Sequence, residues 1–534
     1  MSDVARSCDA VVIGSGPNGL VAANALAEAG WHVVVIEAQP EVGGAVRSAE
    51  VTAPRFVTDL FSAFYPLAAA SSVIRGLELE RHGLRWVQAP TVLAHQLNDG
   101  RAAVLHRDPD ATAAALEQWA PGDGQAWLDM FAHWRSIRDD LLGALFTPFP
   151  PVRSGLGLLR RLKVAGALRL ARLAATPVRR LGEERFAGDG GRLLLGGNAL
   201  HADIPVDAAG SGLFGWLLCM LGQDVGFPVP QGGSGMLAAA LRARAESFGA
   251  QVHTGVAVER VLLRLGRAAG VRLADSTVVT ARRAVLADVT APTLYRELLA
   301  DAPVPSQLLR DLGDFQWDPA TLKVNWALRA PIPWLAEAAA RAGTVHLGVD
   351  ADGFVDFGAD LSVGRLPRRP FVLLGQMAVA DPTRAPAGAE SAWAYTHLPR
   401  GRASDSEAVA TQVRRLQAAV ERAAPGFGEL VIARRIQSPA DLEGSNAGLS
   451  AGALNAGTAA LHQELIFRPT VGLGRPETPI PGLFLAGASA HPGGGVHGAC
   501  GWNAARCALA ADGRFAGART KLIGTAWGRV LGED

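Results

Sequence analysis

The apolar positions of this chain gather in short, unbroken runs. Residues 10–13 read AVVI and residues 32–36 read HVVVI. Runs this short, apolar on both faces, fit strands buried on both sides of a parallel sheet. Between them, residues 20–29 are rich in helix formers, and Gly30 follows as a C-cap. The pattern predicts a β–α–β unit, with Glu37 closing its second strand. A second passage of this kind comes late: an apolar run at 483–486, a glycine-rich turn, then a helix over about 496–511. Residues 250–263 alternate like a pair of strands, and strand-like text continues to 287, where Asp288 ends it. The longest apolar block, GLFGWLLCMLG at 212–222, is too short to span a bilayer.

The glycines at these junctions carry the first chemical signal. Gly14, Gly16 and Gly19 form GxGxxG, enclosing Pro17 and Asn18. Gly14 permits the tight turn, Gly16 lets backbone approach a pyrophosphate, and Gly19 lets helix and strand pack closely. The helix N-terminus offers free N–H groups and a partial positive charge to phosphates. Glu37 lies 23 residues beyond Gly14, where a carboxylate can accept from ribose hydroxyls. This is a dinucleotide fingerprint, and by itself it does not separate FAD from NAD. After Ala38 comes a doublet, Gly43 and Gly44, then Ala45 and Arg47. The doublet resembles the second signature of FAD-dependent amine oxidases and carotenoid desaturases. Those proteins carry a basic residue directly after it; here Arg47 either substitutes from two positions on or is a surface arginine. In the late stretch GASAHPGGGVHG, Gly487, Ala488, Gly494, Gly495 and Val496 offer bare backbone to a flat ring, and the following helix dipole favours negative charge there.

The stretch GLFLAGASAHPGGGVHGACG resembles the C-terminal signature of the phytoene desaturase family of FAD-dependent oxidoreductases. It is similar above all to the bacterial phytoene dehydrogenase-related branch, close to the pyridine nucleotide-disulfide oxidoreductase domain 2 proteins. DLFSAFYPLAAAS at 59–71, FPVPQGGSGMLAAAL at 227–241 and SPADLE at 438–443 agree with that branch. The paired redox cysteines that the disulfide oxidoreductase name suggests are absent. The resemblance implies FAD as cofactor, with backbone near Val258 meeting the adenine. The expected fold is α/β: a discontinuous Rossmann-like FAD-binding domain and an α+β substrate domain with a mixed sheet and a helical cap. The FAD-binding part is expected at 1–88, 226–300 and 466–534, and the substrate part at 89–225 and 301–465.

Composition narrows the rest. A formal charge of +1 gives no field to gather nucleic acid or an acidic partner. A mean hydropathy of +0.17 is high for a soluble chain and fits a large apolar cavity, a membrane-facing patch or plain alanine richness. Four cysteines without disulfide or zinc spacing, and no apolar leader, point to the cytoplasm. No second GxGxxG has strand–helix context, so electrons are expected to pass to a quinone or oxygen rather than to a nicotinamide held in its own domain. Residues 141–182 hold eight basic side chains and no acidic one, with leucines between. Either this segment docks on an anionic membrane surface or it is a solvated helix with snorkelling arginines; on a straight helical wheel its charges scatter. The oligomeric state is not legible.

Flavin-dependent desaturation, or its reverse, moves a hydride between a carbon and flavin N5, and a nearby group handles a proton. Candidates for that group are His491 and His497 beside the glycines, His201 and Asp203 in GGNALHADIP, and Lys323 in the apolar strand TLKVNWAL. Each has a plainer reading: the histidines as backbone partners, Asp203 as a turn residue, Lys323 as half of a structural ion pair. His397 reads as structural, and no metal site is expected. The expected substrate is an apolar isoprenoid, carotenoid or polyene-like molecule. Two alternatives stay open: an amine or alcohol oxidase, and a flavin-free lipid-binding module like the Rab GDP-dissociation inhibitors.

Overall fold

The computed structural model describes residues 5–532. Two seven-stranded sheets organise them. In the first, Ser7–Ile13 lies parallel between Val33–Ile36 and Val278–Ala287, and Gln251–His253 extends the Val33–Ile36 side. Val278–Ala287 is long enough to do two jobs along one edge. Its start takes the antiparallel hairpin of Val258–Arg264 and Arg267–Leu273, and its end pairs in parallel with Leu483–Leu485. The strand run AVVI is buried throughout and feeds two cores. Ala10 and Val12 face the helices Pro17–Glu28 and Ala499–Asp512; Val11 and Ile13 face Leu294, Tyr295, Leu298 and Trp527. Alternation of side chains across a strand produces this split.

The second sheet runs Val431–Gln437, Ala320–Leu328, Glu390–Leu398, Val372–Gln376, Ala342–Leu347, Thr91–Gln96, Ala102–Leu105. Its one parallel pair joins Ala342–Leu347 to Thr91–Gln96, so the sheet is mixed. Leu416, Ala419 and Val420 of the helix Ser406–Ala423 cover one face. A helical cap over 109–224 covers the other, with Trp127, Trp134 and Trp216 at its centre. The block at 212–222 lies inside the buried cap helix Ser211–Asp224. The fold is thus a Rossmann-like dinucleotide-binding part beside a mixed-sheet substrate part with a helical cap.

The basic segment forms the helix Val152–Ala175, which breaks at Lys163, where φ is +53°. The break corrects the scatter expected from a straight wheel. Leu158, Leu162, Leu170 and Leu173 turn inward, and all the basic side chains lie outside with exposed Val152, Leu156, Leu159, Val164 and Leu168. Among the described residues no helix is long and apolar enough to cross a membrane.

Candidate cofactor cleft and active site

After Ile13 the chain turns at Gly14, whose φ of +89° and whose closeness to Asp288 both require glycine: a Cβ there would lie 2.6 Å from the Asp288 carbonyl oxygen. A Cβ on Gly19 would lie 2.2 Å from the Gly14 carbonyl oxygen. Gly16 caps the helix with extended backbone and offers no side chain. Glu37 stands at the end of its strand and accepts from the Ser15 N–H at 2.8 Å, the Ser15 hydroxyl at 2.7 Å and the Gln39 N–H at 2.8 Å. Ala38 follows it. Val258 begins the neighbouring hairpin strand, and the Glu37 carbonyl accepts the Val256 N–H at 3.0 Å.

The glycine doublet lies against the first turn. The Gly43 N–H donates to Ser15, and a Cβ on Gly44 would sit 2.9 Å from the Gly16 Cα. Arg47 is buried rather than at the surface. It donates to the carbonyls of Gly44 at 3.1 Å and Ser445 at 2.6 Å, and its guanidinium lies 5.1 Å from the Phe61 ring centre. Burial lowers its pKa, with Glu37 and Glu41 acting the other way. The carbonyl of Ala45 accepts the Ser62 hydroxyl.

The second turn follows Leu483–Leu485. A Cβ on Gly487 would lie 2.5 Å from the Val289 carbonyl oxygen. Ala488 accepts two bonds, at 3.0 and 2.8 Å, from buried Arg468, which also holds the carbonyls of Asn455, Gly457 and Thr458. At Gly494 a Cβ would meet the Asn455 side chain at 2.7 Å. Val496, next to Gly495, has φ of +57°, a costly conformation for a β-branched residue. The helix Ala499–Asp512 then starts without a side-chain cap. Gly501 brings it against the first helix, since a Cβ there would lie 1.8 Å from the Asn18 carbonyl oxygen. Two helix N-termini whose cap residues, Gly16 and Gly498, carry no side chain therefore converge. Their amides and partial positive charges fit the phosphates and ring of a flavin dinucleotide.

The structure separates the candidate acid–base residues into four places. His491 and His497 belong to the turn. The His491 Nε2 lies 3.2 Å from the Thr147 carbonyl oxygen, and the His497 Nδ1 accepts the Ala499 N–H at 3.0 Å. Burial pushes both down to about 4, so they are neutral at pH 7. Lys323 stands apart. Its ammonium donates to the carbonyls of Asp59 and Phe61 and lies over the Trp393 ring, and burial lowers its pKa to about 7. His201 packs edge-on to Phe227 and His346, and burial lowers its pKa to about 4.

Asp203 is the centre of the fourth place. One of its carboxylate oxygens lies 2.8 Å from the His397 Nε2, and the other accepts the Asn455 amide at 2.8 Å. Asp203 and His397 are both buried. Burial opposes a charge on His397, but Asp203, with Asp318 further off, outweighs it, so the His397 pKa is raised. Asp318 accepts the N–H groups of Leu454 and Asn455, and burial followed by Asp203 raises its pKa. The pair borders a cavity of about 920 Å³ lined by Leu200, Phe315, Trp317, Phe357 and Leu361, with Arg400 and His462 as further polar members. Asn455 thus joins the cavity wall to the second glycine turn at Gly494.

Sequence reasoning set His397 aside, and missed Asn455, Asp318, Arg468 and Asp288. A signal existed for His397: Trp393, Tyr395 and His397 share one strand face, with ring centres 6.1 and 5.5 Å apart along the row. Asn455 lies in a loop without regular elements, and nothing local marks it.

A dinucleotide-binding sheet with a second glycine turn, set beside a capped mixed sheet, defines a flavoprotein oxidoreductase. The family of flavin containing amine oxidoreductases matches residues 18–509, and the chain belongs to that family. It is an FAD-dependent oxidoreductase. Mouse (Mus musculus) pyridine nucleotide-disulfide oxidoreductase domain-containing protein 2 is 28% identical over 93% of this chain and 92% of its own length. A limonene dehydrogenase subunit of Castellaniella defragrans is 24% identical over 95% of each chain. A neurosporene-forming phytoene desaturase of Cereibacter sphaeroides is 24% identical over 94% of each. Among solved structures, an oxidoreductase from Methanosarcina mazei superposes with a TM-score of 0.64 at 16% identity, covering 94% of this chain and 99% of that one. Putrescine oxidase bound to putrescine superposes at 0.60 with 17% identity, covering 95% and 99%. At these identities the structures establish the fold alone.

Proposed function

We propose that the protein forms or reduces carbon–carbon double bonds in an apolar substrate of isoprenoid or polyene type. The observation that carries this reading is a large hydrocarbon- and aromatic-walled cavity with one buried His397–Asp203 pair, tied through Asn455 to the flavin-side turn. Bound FAD supplies the hydride acceptor or donor at N5. The chain supplies the rest. The apolar wall takes the substrate out of water and orients it. The buried His397–Asp203 pair handles the proton that leaves the carbon next to the reacting one in desaturation or arrives there in reduction, with Asp203 holding the Nε2 edge of the ring. His491 and His497 shape the turn. Lys323 fastens the 59–61 loop to the substrate sheet, and His201 packs behind the cavity.

The names of two relatives, a limonene dehydrogenase subunit and a phytoene desaturase, support a terpenoid or longer isoprenoid substrate. A cationic amine fits less well: the one acid on the cavity wall is Asp203, already paired, and Arg400 shares the lining. Electrons leave the flavin for a quinone or oxygen. The outer face of Val152–Ala175 rests on an anionic membrane surface, where such a substrate dissolves. Arg153, Arg160, Lys163 and Arg169 make no salt bridge among the described residues, so their charge is free for lipid headgroups.

The test is anaerobic mixing of the yellow holoprotein with a panel of terpenes, carotenes and polyenes. Bleaching of the flavin by a hydrocarbon supports the reading, and bleaching by amines or alcohols alone overturns it.

A further inference from the structure

Asp288 closes the strand Val278–Ala287, and its N–H donates to Ile13 at 2.7 Å. This fixes its carboxyl between the two glycine turns. Oδ2 accepts the Gly19 N–H at 2.7 Å and lies 2.7 Å from where a Gly16 Cβ would be; Oδ1 lies 3.2 Å from where a Gly487 Cβ would be. The residue is only partly exposed, and no lysine or arginine pairs with it among the described residues. From the second strand Glu37 faces it with a like charge. From the helix Ala499–Asp512 comes Cys500, whose thiol burial pushes up to about 12, leaving it neutral. The turns themselves bring backbone with Ser15, Asn18 and Ser489, none of which is charged. The carboxyl therefore competes for the same first-turn donors that the fingerprint offers to the phosphates. Two anions in one such place cannot both stay ionised without a large cost.

We propose that Asp288 is protonated whenever the dinucleotide is bound, so that binding FAD takes up one proton from solvent. The proton goes to the Asp288 carboxylate; no covalent bond to the cofactor forms and no electron moves. Geometry places the acid, and burial, then Glu37, bring its pKa in the free protein to about 7 despite the Gly19 N–H. Below that pH the proton is already present, and above it the cofactor must recruit one. The inference rests on FAD being the cofactor.

The experiment titrates FAD into the apoprotein between about pH 5.5 and 9, following flavin fluorescence, with proton uptake measured in weak buffer by an indicator dye. The wild type is expected to bind with flat affinity at the acid end and up to about tenfold weaker per pH unit above 7, taking up close to one proton at the alkaline end. Asp288→Asn is expected to bind with a flat profile and no uptake. If that variant does not fold, the wild-type proton count decides alone. Flat wild-type affinity without uptake overturns the proposal, and so does equal uptake by Asp288→Asn. Failure of the wild type to bind FAD at any pH would instead remove the cofactor assignment, and the proposal with it.

Discussion

Between residues 14 and 19, and again between 487 and 498, the cleft is faced by main chain. Glycines let two backbones and two helix ends approach. The polar cluster around His397 is made instead of side chains brought from four separate segments: His397 from a strand end and Asp203 from the loop after a helix, both on the cavity wall, with Asp318 and Asn455 from two loops behind it. The difference teaches where each kind of site tolerates change. A backbone site fails when atoms are added; a side-chain site fails when a functional group is exchanged at constant shape.

That contrast can be broken or sharpened by experiment. The largest effect is expected from Gly501→Val, which drives atoms into the Asn18 carbonyl. It should cost about 3 kcal/mol or more and release the flavin, read as loss of the visible flavin bands and a lower Tm. Retained flavin at wild-type Tm would mean that the two helix ends do not need their closeness. Next comes Asp203→Asn, which keeps the shape of the cavity wall. Turnover should fall by roughly 10²–10⁴ while the flavin spectrum and FAD affinity stay unchanged. Loss of flavin in this variant would erase the distinction between the two regions.

Smaller effects follow from titration. His95, His201, His491 and His497 are lowered by burial from 6.5 to about 4, so the unfolded chain binds protons first. The stability they hold is complete above 6.5 and is lost as pH falls toward 4. Tm should therefore drop steeply over that interval, and His201→Phe should flatten part of the drop. His397 has the opposite sign: its raised pKa contributes stability at low pH that is lost as pH rises through the folded value. The smallest effect is expected from Arg153→Glu with Arg160→Glu. Partition onto phosphatidylserine vesicles should weaken by about 1 kcal/mol or more per residue, with flavin content unchanged.

The cofactor half of the molecule was legible because its rules are local. A strand, a glycine turn and a helix are contiguous, so Gly14, Gly16, Gly19 and Glu37 announce themselves. The late turn reads the same way, and its helix begins at Ala499, three residues after the expected start, because Gly495, Val496 and Gly498 spend that stretch at positive φ. The cavity half was less legible because its contacts join residues far apart in the chain. Asp203 and Asn455 meet across 252 positions. Arg47, weighed as a surface residue, is buried because Ser445 reaches it from the far side of the cleft. The helix break at Lys163 hid the outward gathering of the arginines from any straight wheel.

The meeting of Asn18 with Gly501 has a consequence in time. A ribosome adds roughly 5–20 residues per second, so the first glycine turn emerges on the order of a minute before the helix that completes its cleft. Throughout that interval the opening strand has its neighbour Val33–Ile36 but lacks the far wall. Parallel pairings over such separations form slowly once the chain is available. The nascent chain therefore carries an unfinished nucleotide pocket until the helix Ala499–Asp512 has emerged, and capture of the flavin waits on that helix.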